Sequence, residues 1–312
     1  MLIKKMKNDK VLVTGAGGFI GSWVCRKICK KYSVIAAVDP FSDAWRLDDI
    51  KKDLIIEKIN LNDSSEVENL IKKYKPYSVL HLATHGVYSY QQKDIYRIIV
   101  DNYLMLYNLL DSSLKHGVKK FVNTGSVFEY GGQNKKVKER DVDLKDIINS
   151  YSAVKIATTV LANSYMDRLK VITLRPFTCY GPYEDESRMI RATITRALNN
   201  ESIRIVNKVV RDFVYVGDVA VAYQNALECN FQSGEIINIG SGKKVVINDV
   251  AKLIKKLTNS NSDIAIDSTY KRNRESACWA DIQRARLVLG WSPKTDIQSG
   301  LKVTIDWIKD NL

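Results

Sequence analysis

Long apolar runs are missing from this chain of 312 residues. No stretch reaches the roughly eighteen apolar residues that a membrane-spanning helix needs. The apolar part of the N-terminal segment 1–10 is also too short for a secretory signal peptide. We therefore expect a cytoplasmic protein with no membrane partner.

Cysteine and histidine are scarce, with five and three residues, and neither forms a recognisable site. No C-x-x-C pair occurs, and no cysteine stands at a metal-ligand spacing from a histidine. Cys25 and Cys29 are spaced to share one helical face, where buried, reduced thiols are expected. We predict neither a bound metal nor a disulfide framework.

Acidic residues are outnumbered, since 48 Lys and Arg stand against 35 Asp and Glu, a formal net charge of +13. Such a surplus suits an anionic partner without naming one. The lysines are scattered, and their small clusters are not interleaved with aromatic residues as in a single-strand binding groove. A solvated lysine-rich surface is favoured, and no nucleic-acid partner is predicted.

Short apolar runs alternate with longer amphipathic segments in the first half of the chain. The predicted strands are 11–13, 33–38, 78–82, 120–123 and 171–174. The predicted helices between them include 22–31, 64–74 and 94–116. This alternation is typical of βα units around a parallel sheet.

The regularity weakens after Pro176. Strand-like segments 203–206 and 236–239 alternate there with predicted helices 188–199, 217–229 and 247–257. We predict an α/β fold with a Rossmann-type doubly wound parallel sheet in residues 1–175. A smaller C-terminal α/β substrate domain is predicted for residues 176–312, with some of its segments returning to the first domain.

A glycine-rich turn with Gly15, Gly18 and Gly21 follows the first predicted strand. Glycine permits a tight turn and lets the backbone approach a pyrophosphate at the N-terminus of the next helix. The spacing G-x-x-G-x-x-G differs from the G-x-G-x-x-G of the dinucleotide fingerprint, and either pattern alone is a weak signal.

Asp39, at the end of the second predicted strand, strengthens that signal. Its carboxylate can accept hydrogen bonds from the adenosine ribose hydroxyls and would repel a 2′-phosphate. The alternative role is that of a turn or cap aspartate before Pro40. Together with the glycines, Asp39 predicts NAD rather than NADP as the cofactor.

Tyr151 and Lys155 are spaced to share one face of a predicted helix. A lysine ammonium and a positive nicotinamide ring beside a phenol lower the pKa of the tyrosine toward neutrality. Ser126 follows a predicted strand, which would bring its hydroxyl to the ligand-binding edge of the sheet. We predict these three residues as catalytic, with Tyr151 as general acid and base. A surface tyrosine beside a solvated lysine is the alternative.

Over nearly its whole length the chain resembles the extended short-chain dehydrogenase/reductase family, in its nucleotide-sugar epimerase and dehydratase group. Residues 14–21 match the T-G-x-x-G-x-x-G of that group, and residues 81–83 resemble its H-x-A segment. Ser126, Tyr151 and Lys155 match its Ser/Thr-Tyr-Lys set. Two later segments, 175–182 and 211–220, resemble R-x-F-N-x-Y-G-P and R-D-[FY]-[IV]-[HY]-V-x-D-[VL]-A.

Two positions depart from the family pattern. Met105 stands where a glycine usually follows the helical asparagine, here Asn102. Thr178 replaces the asparagine that helps to hold the substrate diphosphate, which leaves the identity of the sugar nucleotide open.

The resemblance implies where the ligands lie. The residues expected to contact NAD are Gly15, Gly18, Phe19, Ile20, Gly21, Asp39, Leu61, Leu82, Ala83, Asn102, Tyr151, Lys155 and Phe177. A nucleotide-diphosphate sugar is expected at Ser126, Thr178, Arg211 and Arg272. The two arginines suit its phosphates because arginine pairs bidentately with phosphate. A solvent-exposed arginine in a basic loop is the alternative for Arg272. His85, in the segment 84–90, is predicted to border the sugar, with a packed loop as the alternative.

A homodimer is also implied, in which the helices bearing Asn102 and Tyr151 pack against the same two helices of the partner subunit.

The same set of residues implies oxidation at a sugar hydroxyl. Tyr151 would remove the hydroxyl proton while hydride passes to the nicotinamide, and Ser126 would polarise the forming carbonyl. The 4,6-dehydratases of the group carry an Asp-Glu pair after the Ser/Thr, where this chain has Val127 and Phe128. We therefore predict a nucleotide-sugar 4-epimerase that works through a transient 4-keto sugar. The alternatives are an NAD(P)H-dependent 4-ketoreductase and a non-catalytic redox-sensing or RNA-binding protein on the same fold.

Overall fold

The computed structural model describes residues 9–87, 91–206, 209–266 and 277–311. Its strands are β1 (Lys10–Thr14), β2 (Ser33–Val38), β3 (Leu54–Lys58), β4 (Ser78–His81), β5 (Lys120–Thr124), β6 (Lys136–Val137), β7 (Lys170–Pro176), β8 (Thr178–Tyr180), β9 (Ile203–Ile205), β10 (Val210–Arg211), β11 (Phe213–Tyr215), β12 (Glu235–Ile239), β13 (Val245–Val246), β14 (Ile264–Ile266) and β15 (Trp279–Ala280). Its helices are α1 (Phe19–Ile28), α2 (Ser64–Tyr74), α3 (Ile95–Lys115), α4 (Ser150–Asn163), α5 (Met189–Leu198), α6 (Val216–Glu228), α7 (Ile247–Thr258), α8 (Gln283–Leu289) and α9 (Ile297–Lys309).

A seven-stranded sheet is the centre of the fold, with the strand order β12-β7-β5-β4-β1-β2-β3. Every neighbouring pair in it runs parallel. The strand order changes direction between β1 and β4, where doubly wound sheets open a crevice at the carboxyl ends of their strands. The predicted α/β fold with a parallel sheet is confirmed.

The central strands are apolar because helices cover both faces of the sheet. Val11 and Val13 of β1 pack in one apolar cluster with Ile28 of α1. Leu12, between them, packs in a second cluster on the opposite face, with Leu106 and Leu109 of α3. Alternate side chains of a strand point to opposite faces, so a continuous apolar run serves both layers.

A third apolar cluster lies in the C-terminal part of the chain. It includes Ile194 of α5, Phe213 of β11, Val250 of α7 and Leu301 of α9. Strand β12 nevertheless pairs with β7 in the central sheet. The division into 1–175 and 176–312 stays a prediction. Among the helices of the described ranges, none is both long and apolar enough to span a membrane.

Candidate active site

The glycine turn joins β1 to α1 at the crevice of the sheet. Gly15 has φ +66°, which favours glycine, and a Cβ there would lie 2.6 Å from the Ala83 backbone nitrogen. A Cβ on Gly21 would lie 2.1 Å from the Gly15 carbonyl oxygen. Gly15 and Gly21 are therefore required by the fold, whereas Gly18 is exposed to solvent beside the turn.

Helix α1 begins without a capping side chain. Gly18 is its N-cap residue and offers no side-chain hydrogen bond, and the first turn contains no acidic residue. The first amides of a helix need acceptors and carry the positive end of its dipole. An uncapped N-terminus of this kind beside Phe19, Ile20 and Gly21 fits the pyrophosphate of a dinucleotide.

Asp39 directly follows β2 and is exposed. Its Oδ1 accepts a hydrogen bond from the Phe41 amide at 2.9 Å, which is the turn role expected of an aspartate before Pro40. A carboxylate has acceptor capacity beyond one such bond. The turn therefore orients Asp39 and leaves it suited to the ribose hydroxyls of NAD.

The end of β4 packs against the glycine turn. The Leu82 amide donates to the Thr14 carbonyl at 3.2 Å, and the Thr14 hydroxyl lies 2.8 Å from Nδ1 of His81. Burial lowers the pKa of His81 to about 3, with a smaller effect of the Lys155 charge, so the imidazole is neutral. Leu82 and Ala83 thus stand beside the turn at which the dinucleotide is predicted.

Asn102, buried in α3, holds the loop that follows β4. Its amide nitrogen donates to the carbonyls of His85 and Ile98 at 2.8 and 2.7 Å. Its amide oxygen accepts from the Thr84 hydroxyl and the His85 amide at 2.7 and 3.1 Å. All four hydrogen bonds of this amide are used within the protein, and the contact of Asn102 with NAD stays a prediction. Residues 88–90 of the predicted sugar-bordering segment lie outside the described residues.

The predicted catalytic residues meet at the carboxyl end of β5. Tyr151 and Lys155 lie on α4. Their side chains and that of Ser126 are buried. The Tyr151 hydroxyl lies 3.4 Å from the Thr84 hydroxyl, and the Tyr151 ring packs edge-on against Phe128 at 5.7 Å between centroids. The Lys155 ammonium donates to the Thr124 carbonyl at 2.5 Å. This arrangement excludes the surface tyrosine considered above.

Burial controls the protonation of these groups. Desolvation raises the pKa of Tyr151 to about 12, against the lowering effect of hydrogen bonds with Thr84 and Ser126. Desolvation also lowers the pKa of Lys155 to about 8, partly offset by the charge of Glu129. Within the protein itself the phenol is therefore protonated at neutral pH. The shift toward neutrality expected for Tyr151 with a positive nicotinamide ring beside it stays a prediction.

A buried network beneath Ser126 escaped the sequence analysis. The Glu129 Oε1 accepts from the Ser126 amide at 2.7 Å, and the Ser126 hydroxyl accepts from the Phe128 amide at 3.2 Å. These two bonds form a capping box on a short 3-10 turn. Glu129 also pairs with Arg175 at 2.7 Å and accepts from Thr159 at 2.9 Å. The S-x-x-E spacing was the signal that could have revealed it.

The residues predicted to bind the sugar nucleotide lie on several elements. Thr178 is half-buried in β8, and its amide donates to the Asp212 carbonyl at 3.0 Å. It directly follows Phe177, a buried residue that was predicted to contact NAD. Arg211 lies in β10 and donates to the Val210 carbonyl at 2.9 Å. Arg272 lies outside the described residues. The ligand roles of these side chains stay predictions.

Leu61, expected at the cofactor, is buried in the loop after β3. Its carbonyl accepts from the Asn108 side chain on α3 at 3.0 Å. The contact fixes this loop at the carboxyl edge of the sheet, beside the end of β2.

Glu184 is a second buried carboxyl that the motifs did not indicate. Its Oε1 lies 3.9 Å from Nε of Arg188, while its buried Oε2 has no hydrogen-bond partner among the described residues. Desolvation raises the pKa of Glu184 to about 8, against the lowering effects of Arg188 and Arg191. This carboxyl is therefore largely protonated at neutral pH.

Comparison with known proteins agrees with this geometry. The model of the NAD dependent epimerase/dehydratase family matches residues 11–240, which is more than half of the chain. A UDP-glucuronate 4-epimerase from Thermodesulfobacterium geofontis is 28% identical, with 96% of each chain covered.

Two solved structures share the fold over almost the whole chain. The UDP-glucose 4-epimerase of Thermotoga maritima, solved with UDP-glucose, is 28% identical with a TM-score of 0.86, covering 97% of this chain and 99% of that one. A mutant UDP-glucuronic acid 4-epimerase from Bacillus cereus was solved with UDP-4-deoxy-4-fluoro-glucuronic acid and NAD. It is 25% identical with a TM-score of 0.87, covering 97% of this chain and 100% of that one.

Proposed function

We propose that this chain, which belongs to the NAD dependent epimerase/dehydratase family, inverts C4 of a UDP-sugar through a transient 4-keto sugar. The observation that carries the proposal is the buried cluster of Ser126, Tyr151 and Lys155, in which the Tyr151 hydroxyl lies 3.4 Å from the Thr84 hydroxyl. This cluster stands at the same sheet edge as the glycine turn.

The chain's own residues supply the acid and base chemistry. Tyr151 takes the proton from the C4 hydroxyl and returns it to the same oxygen after inversion. Ser126 donates a hydrogen bond to that oxygen as the carbonyl forms. A dinucleotide held at the glycine turn and Asp39 would supply the hydride acceptor for oxidation at C4 and the hydride donor for reduction of the opposite face.

Lys155 influences the protonation of Tyr151. Its buried ammonium is held by the Thr124 carbonyl, and its lowered pKa of about 8 leaves it cationic at neutral pH. A cation fixed at this depth favours the phenolate form of Tyr151, because an opposite charge is poorly screened in a buried site. Glu129 holds the Ser126 turn from below.

The relatives support a UDP-sugar as substrate. Their names refer to UDP-glucose and UDP-glucuronate 4-epimerases, and two were solved with such ligands. The half-buried Thr178 and the later arginines are the residues proposed to bind the nucleotide-sugar diphosphate, within the proposed substrate domain 176–312. The absence of a membrane-spanning pattern in the sequence supports a cytoplasmic enzyme, and the scattered lysines support a surface without a nucleic-acid site.

A homodimer is proposed through α3 and α4, which pack against each other on one face of the sheet. Ile95, Ile99, Tyr103 and Tyr107 are exposed at four-residue intervals along α3. Val160 of α4, the helix that packs against α3, is 64% exposed. An apolar stripe of this length is typical of a surface covered by another helix.

The test is conversion of UDP-glucose or UDP-glucuronate by the purified protein without added cofactor, followed by anion-exchange chromatography. We expect a mixture of the two C4 epimers at equilibrium. Consumption of NAD(P)H with a 4-keto sugar and no epimer would favour the ketoreductase. Failure to convert either sugar, with NAD bound, would contradict the proposal.

A further inference from the structure

A loop after Asp39 covers the glycine turn. We call residues 42–46 the cover segment. A Cβ built on Gly17 would lie 3.3 Å from the Ala44 Cβ and 3.5 Å from the Ser42 Oγ. The segment follows the Asp39 turn, whose carbonyl accepts from the Ser42 amide at 3.0 Å. It therefore lies directly beside the predicted NAD site.

The cover segment is tied to a distant part of the chain, at Tyr183. The Arg46 Nε donates to the Tyr183 carbonyl at 2.8 Å. The Trp45 and Tyr183 rings lie 5.9 Å apart, centroid to centroid. Tyr183 follows β8 and precedes α5, within the proposed substrate domain, so the contact joins the two parts of the molecule.

Arg26 links the same two segments to the cofactor helix α1. Its guanidinium lies 4.1 Å above the centre of the Tyr183 ring, a cation–π distance. It also donates to the Arg46 carbonyl and, through Nε at 3.1 Å, to Asp49. Trp23, on the same helix, donates its indole N–H to the Pro182 carbonyl at 2.9 Å.

Tyr183 is supported from its other side by the last helix of the described chain. Its ring centroid lies 4.9 Å from that of Trp307 on α9, and the Arg191 guanidinium lies 5.3 Å from the Trp307 ring. The Tyr183 ring is therefore held among aromatic and cationic side chains contributed by both parts of the molecule.

The backbone on both sides of this contact is strained. Ala44 has φ +52° and Tyr183 has φ +71°, in the left-handed region that favours glycine. Strained residues persist only where surrounding contacts over-determine them, and they cluster at ligand clamps and switches. Ala44 and Tyr183 lie in two segments that contact each other, and this strain indicates a functional role for the contact.

We propose that Tyr183, Arg46 and Arg26 form a clasp that holds the cover segment closed over the glycine turn and so limits the rate at which NAD leaves. They are positioning residues, which act on the cofactor through the cover segment. The proposal rests on the proposed function, because an epimerase that restores its cofactor in every turnover gains from retaining it.

The experiment compares NAD dissociation from four holoprotein variants, measured by dilution into an excess of a fluorescent NAD analogue. Arg46→Ala removes the hydrogen bond to the Tyr183 carbonyl, and Tyr183→Leu removes the aromatic ring. Tyr183→Phe keeps the ring. Arg168→Ala is the matched control, since Arg168 stacks at 5.0 Å on Tyr165 near the opposite edge of the sheet.

We expect Arg46→Ala and Tyr183→Leu to release NAD at least about tenfold faster than the parent protein, as a loss of about 1.4 kcal/mol would give. Tyr183→Phe and Arg168→Ala should keep the parent rate. The clasp would be overturned if Arg46→Ala and Tyr183→Leu both released NAD at the parent rate, or if Tyr183→Phe and Tyr183→Leu accelerated NAD release equally.

Should Tyr183→Leu fail to fold, the NAD release rate of Arg46→Ala alone decides. Because NAD release is measured without substrate, a parent protein that binds NAD but forms no epimer contradicts only the proposed function.

Discussion

At the scale of single residues, burial sets the protonation of the groups that act. Tyr151 alone is a poor base, because desolvation raises its pKa to about 12. Hydrogen bonds with Thr84 and Ser126 lower the Tyr151 pKa against that effect, whereas the charge of Glu129 raises it further. The buried site strengthens electrostatic contacts, and we expect the positive nicotinamide ring of a bound cofactor to favour the phenolate there.

Replacing Tyr151 by phenylalanine tests this role. Tyr151→Phe keeps the ring that packs on Phe128 and removes only the hydroxyl. We expect epimerisation to fall by about 10²–10⁴-fold, the usual contribution of a general acid and base, while NAD stays bound. Initial rates and the NAD content of the purified variant provide the measurement. Tyr74→Phe, on α2, is the control and should retain full activity. Full activity in Tyr151→Phe would exclude the assigned mechanism.

The buried carboxyl of Glu184 makes the folded protein less stable as the pH rises. Its folded-state pKa of about 8 lies above the ordinary 4.5, so folding takes up a proton between these values. Protonated Glu184 therefore stabilises the folded state fully below about pH 4.5, and this stabilisation is lost as the pH rises to about 8.

Urea unfolding at pH 5, 7 and 8.5 tests this residue. The parent protein should lose at least about 1 kcal/mol more between pH 5 and 8.5 than Glu184→Gln, which cannot ionise. Glu186→Gln changes a nearby glutamate whose side chain is 84% exposed and serves as the control. Equal pH slopes in the parent and Glu184→Gln would refute the raised pKa.

At the scale of elements, the short turn 127–130 carries Ser126 into the site. Glu129 closes its capping box and pairs with Arg175 of β7, with both charges buried. Removal of one partner leaves an uncompensated buried charge.

Glu129→Ala should therefore lower the free energy of unfolding by about 3–5 kcal/mol. It should also slow epimerisation, because the Ser126 turn loses its support. Glu57→Ala breaks the more exposed pair with Lys73 and should cost less than about 1 kcal/mol. Denaturant unfolding compares the two, and similar costs would argue against a structural role for the buried pair.

Local sequence patterns predict a strand that is buried on both faces and a helix with a regular apolar stripe. The predicted strand 33–38 agrees with β2, and the predicted helix 64–74 agrees with α2. The edge strand β3 was missed because its exposed and charged positions weaken the apolar signal. The contact of Arg46 with Tyr183 joins residues remote in sequence, and no local pattern encodes it. The Glu129 network likewise depends on β7 reaching the Ser126 turn.

At the scale of the whole molecule, the apolar stripe on α3 predicts assembly. Light scattering after gel filtration should show the parent protein as a dimer and Ile99→Glu as a monomer, because a buried unpaired charge is costly. Leu287→Glu, at another position that is 78% exposed, should stay dimeric. A monomeric parent protein, or a dimeric Ile99→Glu variant, would show that α3 is not the interface.

The proposed epimerisation requires an oxidation at C4 that is reversed within one site. The most direct measurement uses UDP-glucose or UDP-glucuronate deuterated at C4, incubated with the purified protein in ordinary water and followed by mass spectrometry and NMR. We expect a C4 epimer that keeps its deuterium at C4, because the transferred atom never exchanges with solvent. Loss of the deuterium to water in the epimer, or no epimer at all, would contradict it.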